Sequence, residues 1–364
     1  KNMLNYLQDN GMRFGANINA YTSLDETVYF LTDVPTTNDK LVDSVLLVLH
    51  DWSNGILLED DELEKERGVI REEWRTGGDA QYRLWKKILP VLYKDSKYAN
   101  RLPIGDIDVI NNFKPEEIRA YYKKWYRPDL QGIIIVGDFD IDNMENKVKE
   151  LFGKIPAQEN PATREYFPVP DNDAPIVSIA SDPEATRMQL MVFYKHETIP
   201  AEIKLSQAGL VLNYIKSAAS TMINERFREI VQKPNAPFTS AYAYDGEYFV
   251  AKTKDAWTVS GGSADDKIKD AIGAMIRETE RVKRFGFTAS EYERARTNIL
   301  KQYEDAYNNR DKERNSRYTQ EYVSSFINSE PIPGIEYEYN MMNMIAPNIP
   351  VEAINQSIAQ LIGD

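Results

Sequence analysis

Glu62-Leu63-Glu64-Lys65-Glu66-Arg67-Gly68-Val69-Ile70-Arg71-Glu72-Glu73-Trp74 is the stretch on which the fold turns. At 3.6 residues per turn, each step along a helix rotates the side chain by about 100°. With Glu66 set at zero, Leu63, Val69, Ile70 and Trp74 fall within an arc of roughly 140°, and Glu66 and Glu73 lie inside that arc. Arg67, Arg71, Lys65, Glu64 and Glu72 fall outside it. Two carboxylates on an apolar face need a reason, because burying an unpaired carboxylate is costly and such groups neutralise, pair or bind metal. Two blander readings stay open: a kinked helix, or a rim position where both acids reach solvent.

Outward from this helix, which starts near Asp60, the chain opens on the end of a helix, with Leu7 in its periodicity and Asn10-Gly11 as its stop. Phe14 to Val34 reads as extended, with Ser23-Leu24-Asp25-Glu26 turning between two strands. A helix from about Asn38 to Trp52 follows. Downstream, Lys114-Pro115-Glu116-Glu117 opens a helix, Ile133-Ile134-Ile135-Val136 reads as a buried strand, and Asp138 to Phe152 as the next helix. Pro156, Pro161, Pro168 and Pro170 then mark a linker. Strands are expected at Met188–Tyr194, Ala241–Tyr244, Phe249–Lys252 and Trp257–Gly261. Helices are expected from about Glu202 to Val231, Asp265 to Phe285 and Ser290 to Phe326, with Thr288 and Glu291 as a capping box for the last.

The 364 residues hold 42% hydrophobic and 28% charged residues, enough for two ordinary cores. The expected architecture is α+β, used twice: residues 1–155 as a first domain, 156–174 as linker and 175–364 as a second. A net charge of −13 repels nucleic acid and anionic membrane surfaces. No apolar run approaches the roughly 20 residues of a membrane span. The absence of cysteine removes disulfides, thiolate metal sites and a cysteine nucleophile. Tyr121-Tyr122-Lys123-Lys124-Trp125-Tyr126 interleaves bases with aromatics, as in single-strand binders, but overall charge and helical setting favour packing with a solvated face.

Glu66-Arg67 followed by Glu73 resembles the downstream signature of the inverted zincins, the pitrilysin, insulin-degrading enzyme and mitochondrial processing peptidase family. The resemblance implies that Glu73 is the third zinc ligand and that Glu66 supports a ligating histidine from behind, while Glu72 points off the face. Phe14 to Thr22 with Asp25 to Tyr29 looks like the family's strand pair beside the zinc. By that likeness Asn19, Ala20 and Tyr21 belong to the strand on which an extended peptide docks. Tyr126-Arg127-Pro128-Asp129 through Gly137-Asp138 is similar to the family's helix-to-strand passage. The implied fold is two α/β-roll domains, antiparallel sheets flanked by long helices, with the first domain incomplete at its N-terminus.

Two departures stand out. The family's H-x-x-E-H motif, which supplies two ligands and the general base, is absent. The two histidines, His50 and His196, lack its spacing, and His50 reads as structural. Counting back roughly seventy to ninety residues from Glu73 places the motif upstream of Lys1. Lys1-Asn2-Met3-Leu4 shows no leader character, so the expectation is a piece of a longer protein. In the second half Arg228 matches an arginine that holds substrate. The accompanying tyrosine position falls near Phe238, which has no hydroxyl.

The expected function is therefore a zinc metalloendopeptidase acting on peptides or unfolded polypeptides, with Zn2+ in the intact protein and weak or absent here. Its expected partners are a peptide, and a further C-terminal half or a homologous subunit. The bacterial periplasm or cell envelope is the expected location. The rival is a pitrilysin-like binding or scaffold subunit without catalysis.

Overall fold

The computed structural model describes residues 3–363; Lys1 and Asn2, read above for the lack of a leader, lie outside them. The chain divides into two compact units. The first comprises residues up to 86, 100–166 and 314–323; the second comprises 87–99, 167–313 and 324 onward.

In the first unit, α1 (Met3–Asp9) leads to an antiparallel hairpin of β1 (Ile18–Thr22) and β2 (Thr27–Leu31), with Ile18 opposite Leu31 and Thr22 opposite Thr27. Asn38 caps α2 (Asp39–Asn54) by accepting the Leu41 N–H. Leu41, Val45 and Val48 recur at helical spacing on α2 and meet Leu7, Met12 and Ile18 in a small core. Next come α3 (Asp60–Thr76) and α4 (Ala80–Leu92), the latter divided between the units after Lys86. The unit continues with α5 (Ile107–Asn112), α6 (Pro115–Trp125) and α7 (Ile141–Phe152). The aromatic run on α6 packs as expected. The Tyr122 hydroxyl donates to the Trp52 carbonyl at 2.9 Å, the Tyr126 hydroxyl meets that of Tyr29 at 2.5 Å, and Tyr121 faces solvent.

One expectation fails here. Ile133-Ile134-Ile135-Val136 forms no strand and is at most half-buried, with Ile133 exposed. An apolar run becomes a strand only when a neighbouring backbone completes its ladder, and none of the described residues does so.

The second unit carries the three-stranded antiparallel sheet β3-β5-β4, made of β3 (Leu190–His196), β4 (Ser240–Tyr248) and β5 (Ala251–Gly262). The strands expected at Phe249–Lys252 and Trp257–Gly261 are one strand, β5, which starts only at Ala251 because Phe249 and Val250 make the turn from β4. Its polar middle, Lys254-Asp255, stays in the ladder because both side chains are buried among charged neighbours. Leu190, Val192, Tyr194, Trp257, Val259 and Ala243 share the face turned to the core. The helix expected from Glu202 is two: α8 (Ala201–Lys204) and α9 (Gln207–Val231), parted at Leu205-Ser206. Then follow α10 (Ile268–Phe285) and α11 (Ala289–Asn309), the latter with the expected Thr288/Glu291 capping box. The expected run to Phe326 breaks after Asn309, and α12 (Asn315–Asn328) is a separate helix, shared by the units. α13 (Ile335–Ile345) and α14 (Val351–Ile362) close the unit.

Two polar devices tie this unit together. Arg226 of α9 donates to Glu291 at 2.6 Å, to Glu278 at 3.0 Å and to the Gly286 carbonyl at 3.1 Å. On the outer edge of β4, the Asn224 side chain accepts the Ala243 N–H at 2.7 Å and donates to the Ala243 carbonyl at 3.0 Å.

Candidate active-site face

No residue of α3 is buried, so the helix lies on its unit as a half-sunk rod. Leu63, Arg67, Ile70 and Trp74 are its half-buried residues, spanning about 40° to 100° on the wheel that sets Glu66 at zero. The packed arc is thus narrower than the sequence suggested, and it is shifted. Val69, inside the expected arc, is 56% exposed, whereas Arg67, expected outside it, is sunk with its side chain only 10% exposed. Glu66 and Glu73 are both exposed, one on either side of Val69 along the helix. Of the readings left open, the rim position is the one the structure adopts.

Arg67 sinks because its guanidinium meets the end of α5. It donates to the Ile110 carbonyl, to the Phe113 carbonyl at 2.8 Å and to Glu64 at 2.8 Å, and it lies 3.7 Å over the Phe113 ring. Those carbonyls lack helical partners, and a cation is favoured at a helix C-terminus. Sequence reasoning missed this anchor. The available signal was its place beside Glu66, but a rotation of 100° hid it. The hydrogen bond from Arg67 holds the Glu64 carboxyl below its ordinary range, and Arg75 does the same for Glu72. Glu62 pairs with Lys65. Glu66 and Glu73 have no ion-pair partner among the described residues.

Among the described residues β2 is the only strand paired with β1, whose first residue, Ile18, also bonds back to Arg13 and Gly15. The Thr32 N–H to Asn17 carbonyl bond and the Ser23 N–H to Glu26 carbonyl bond fix the phase of the hairpin. Asn19 and Tyr21 therefore turn their backbone groups to β2, and Ala20 and Thr22 turn theirs outward. Asn19, Ala20 and Tyr21 are all exposed, and the Asn19 side chain accepts the Ala20 N–H at 2.8 Å.

The remaining candidates lie in the second unit. Arg228 is exposed and pairs with Glu225 at 2.7 Å. Phe238 is buried in the core, edge-on to Phe227, so its side chain faces no solvent. His50 of α2 is half-buried against the Phe152 ring and bonds Asp51 at 3.3 Å, and His196 bonds Asp245.

A catalytic zinc takes three protein ligands and keeps a fourth position open. Among the described residues no three His, Asp or Glu side chains stand close enough to hold a metal ion. The described residues do not form that set. No described helix is long and apolar enough to cross a membrane.

A hairpin, an acid-bearing helix and a second unit of sheet and long helices define a class that the comparisons identify. Residues 1–102 match the model for insulinase (peptidase family M16) and residues 112–299 that for the peptidase M16 inactive domain, and the chain belongs to peptidase family M16. It is 27% identical over 355 residues to the probable zinc protease PqqL of Escherichia coli (strain K12), covering 96% of this chain and 37% of that protein. It is also 27% identical over 359 residues to the zinc protease PQQL-like of Arabidopsis thaliana, covering 97% and 34%. The crystal structure of the first half of the periplasmic protease PqqL from Escherichia coli superposes with a TM-score of 0.88 at 26% identity, over 98% of this chain and 75% of that one. The fold is therefore the pitrilysin-type α+β fold, and the chain spans little more than a third of the length of the curated relatives it matches.

Proposed function

We propose that the chain is the part of a zinc metalloendopeptidase that supplies one carboxylate of the metal site and the strand on which substrate docks. Glu73 is the ligand and Glu66 the acid that orients a ligating histidine. That histidine and its partner come from residues of the intact protein outside these 364. The observation that carries the reading is the pairing of Glu66 and Glu73 on one exposed stripe of α3, outside the arc that packs. A hard oxygen presented there suits zinc beside imidazoles. The outward Ala20 carbonyl and Thr22 backbone groups suit a peptide added as a strand, which grips any sequence in its extended form.

Peptides or unfolded polypeptides are the substrates on this reading, residues 175–364 are a domain without metal, and the bacterial envelope is the compartment. The pairing of Arg228 with Glu225 and the burial of Phe238 support no substrate contact for either.

In the full-length protein, Glu73→Gln should abolish both zinc retention and peptide cleavage. Glu66→Gln should weaken zinc binding by about 10–100-fold. Glu72→Gln, on a different stripe, should leave both unchanged. The 364-residue chain alone should hold well under one zinc after dialysis. Full zinc content in Glu73→Gln, or equal losses in Glu72→Gln and Glu73→Gln, would overturn the assignment.

A further inference from the structure

The core-facing side of the β3-β5-β4 sheet ends in charge. His196, the last residue of β3, stands opposite Asp255 of β5, which in turn stands opposite Glu247 of β4. The His196 ring reaches across to Asp245 of β4, with Nε2 to Oδ1 at 2.7 Å, and its Nδ1 lies 2.9 Å from the Glu197 carbonyl oxygen. The other Asp245 oxygen takes the ammonium of Lys216 from α9. The Asp245 side chain is 2% exposed and that of His196 16% exposed, so water screens this cluster little.

The hydrogen-bond inventory fixes the protons. Lys216 can only donate, so the Asp245 oxygen it meets accepts, and Asp245 faces a donor on each oxygen if it is ionised. A backbone carbonyl can only accept. Both ring nitrogens of His196 therefore face acceptors, and both are satisfied only when the ring carries two protons.

We propose that His196 is a proton-operated pin: its imidazolium clamps the end of β3 to β4 and α9, and loss of the second proton releases that end. The inference does not depend on the zinc assignment. Glu197, next in the chain, is held on Lys254, so the strand end is pinned by two ion pairs and only the His196 one opens near neutral pH.

Every packed element contributes to the balance. Burial on its own pushes the His196 imidazole down. The hydrogen bond and charge of Asp245 and the Glu197 carbonyl outweigh burial, Lys216 opposes them weakly, and the net direction is up. Asp255 is pushed up by burial and by Asp245, and pulled down by Lys216, His196 and Lys204 of α8. α10 directs Glu280 to Tyr194, two residues back along β3, and α14 carries a single acid, Glu352, in its first turn. A group whose folded pKa is raised stabilises fully below its unfolded value of about 6.5, and that contribution disappears as pH rises through the folded value. The pin is closed on the acid side and opens on the alkaline side.

The test is ring NMR on the 364-residue chain carrying His50→Gln, which leaves His196 as the sole histidine. Both ring nitrogens should be protonated at pH about 6.5, and the titration midpoint should lie above that value. Adding Asp245→Asn should move the midpoint down by one unit or more. Adding Lys216→Met should move it up, because a repelling cation is removed. Opposite shifts cannot come from unfolding, which returns the midpoint to about 6.5 in both variants. Amide exchange across residues 196–199, corrected for intrinsic base catalysis, should accelerate above the midpoint. A neutral tautomer at pH about 6.5, a midpoint indifferent to Asp245→Asn, or a downward shift in Lys216→Met would overturn the proposal.

Discussion

Arg67 sets the rotation of α3 about its axis. With its guanidinium spread over two carbonyls at the end of α5, Arg67 turns the Leu63, Ile70 and Trp74 side inward and leaves the Glu66–Glu73 stripe outside. The planar fork matters, because a lysine ammonium cannot span both carbonyls while stacking on Phe113. Arg67→Ala should lower the melting temperature of the first unit by roughly 5 °C, and Arg67→Lys should recover less than half of that. Thermal denaturation followed by circular dichroism reads this directly. A drop under about one degree in the alanine variant would remove Arg67 as the anchor.

Among the elements, the β1–β2 hairpin offers the most direct test of function. Proline is tolerated in a strand where the N–H it removes points away from the ladder, and Thr22 is such a position. Thr22→Pro in the full-length protein should keep the hairpin and raise KM for peptide cleavage several-fold with kcat little changed. An unchanged KM would exclude docking on this edge. The same elements show what the sequence disclosed. The period of α3, the turn at Ser23–Glu26 and the capping box at Thr288 rest on neighbours in the chain, and all were readable. Ile133–Val136 was not, because a strand needs a second backbone that local sequence does not contain. Lys254-Asp255 hid the continuity of β5, since polar residues in a strand look like a loop until distant partners are known. The shift of the packed arc on α3 came from Phe113 and Ile110, more than forty residues away, which no helical wheel includes. The roles proposed for Glu66 and Glu73 rest on the family resemblance, and their exposure was legible only as one of several alternatives.

For the molecule as a whole, the second unit contains opposing proton switches that define a window of stability. Burial by itself would raise Glu291, but the Arg226 guanidinium and the Thr288 N–H and hydroxyl outweigh it and push the carboxyl down to about 2. A depressed acid stabilises fully above its unfolded value of about 4.5 and loses that contribution as pH falls toward about 2. His196 has the reverse sign and loses its contribution above about 6.5. The difference in unfolding free energy between the native chain and Glu291→Gln should be on the order of 2–3 kcal/mol above pH about 5 and fade to nothing near pH about 2. Urea titrations across pH measure it, and a pH-independent difference would contradict the assignment. Asn224 has a consequence of another kind. By filling the hydrogen-bonding slot of Ala243 with a side-chain amide, it breaks the row of vacant donors and acceptors on the outer edge of β4. A second molecule meeting that edge finds its central rung already taken, so the protein can be crowded without its sheets growing into one another.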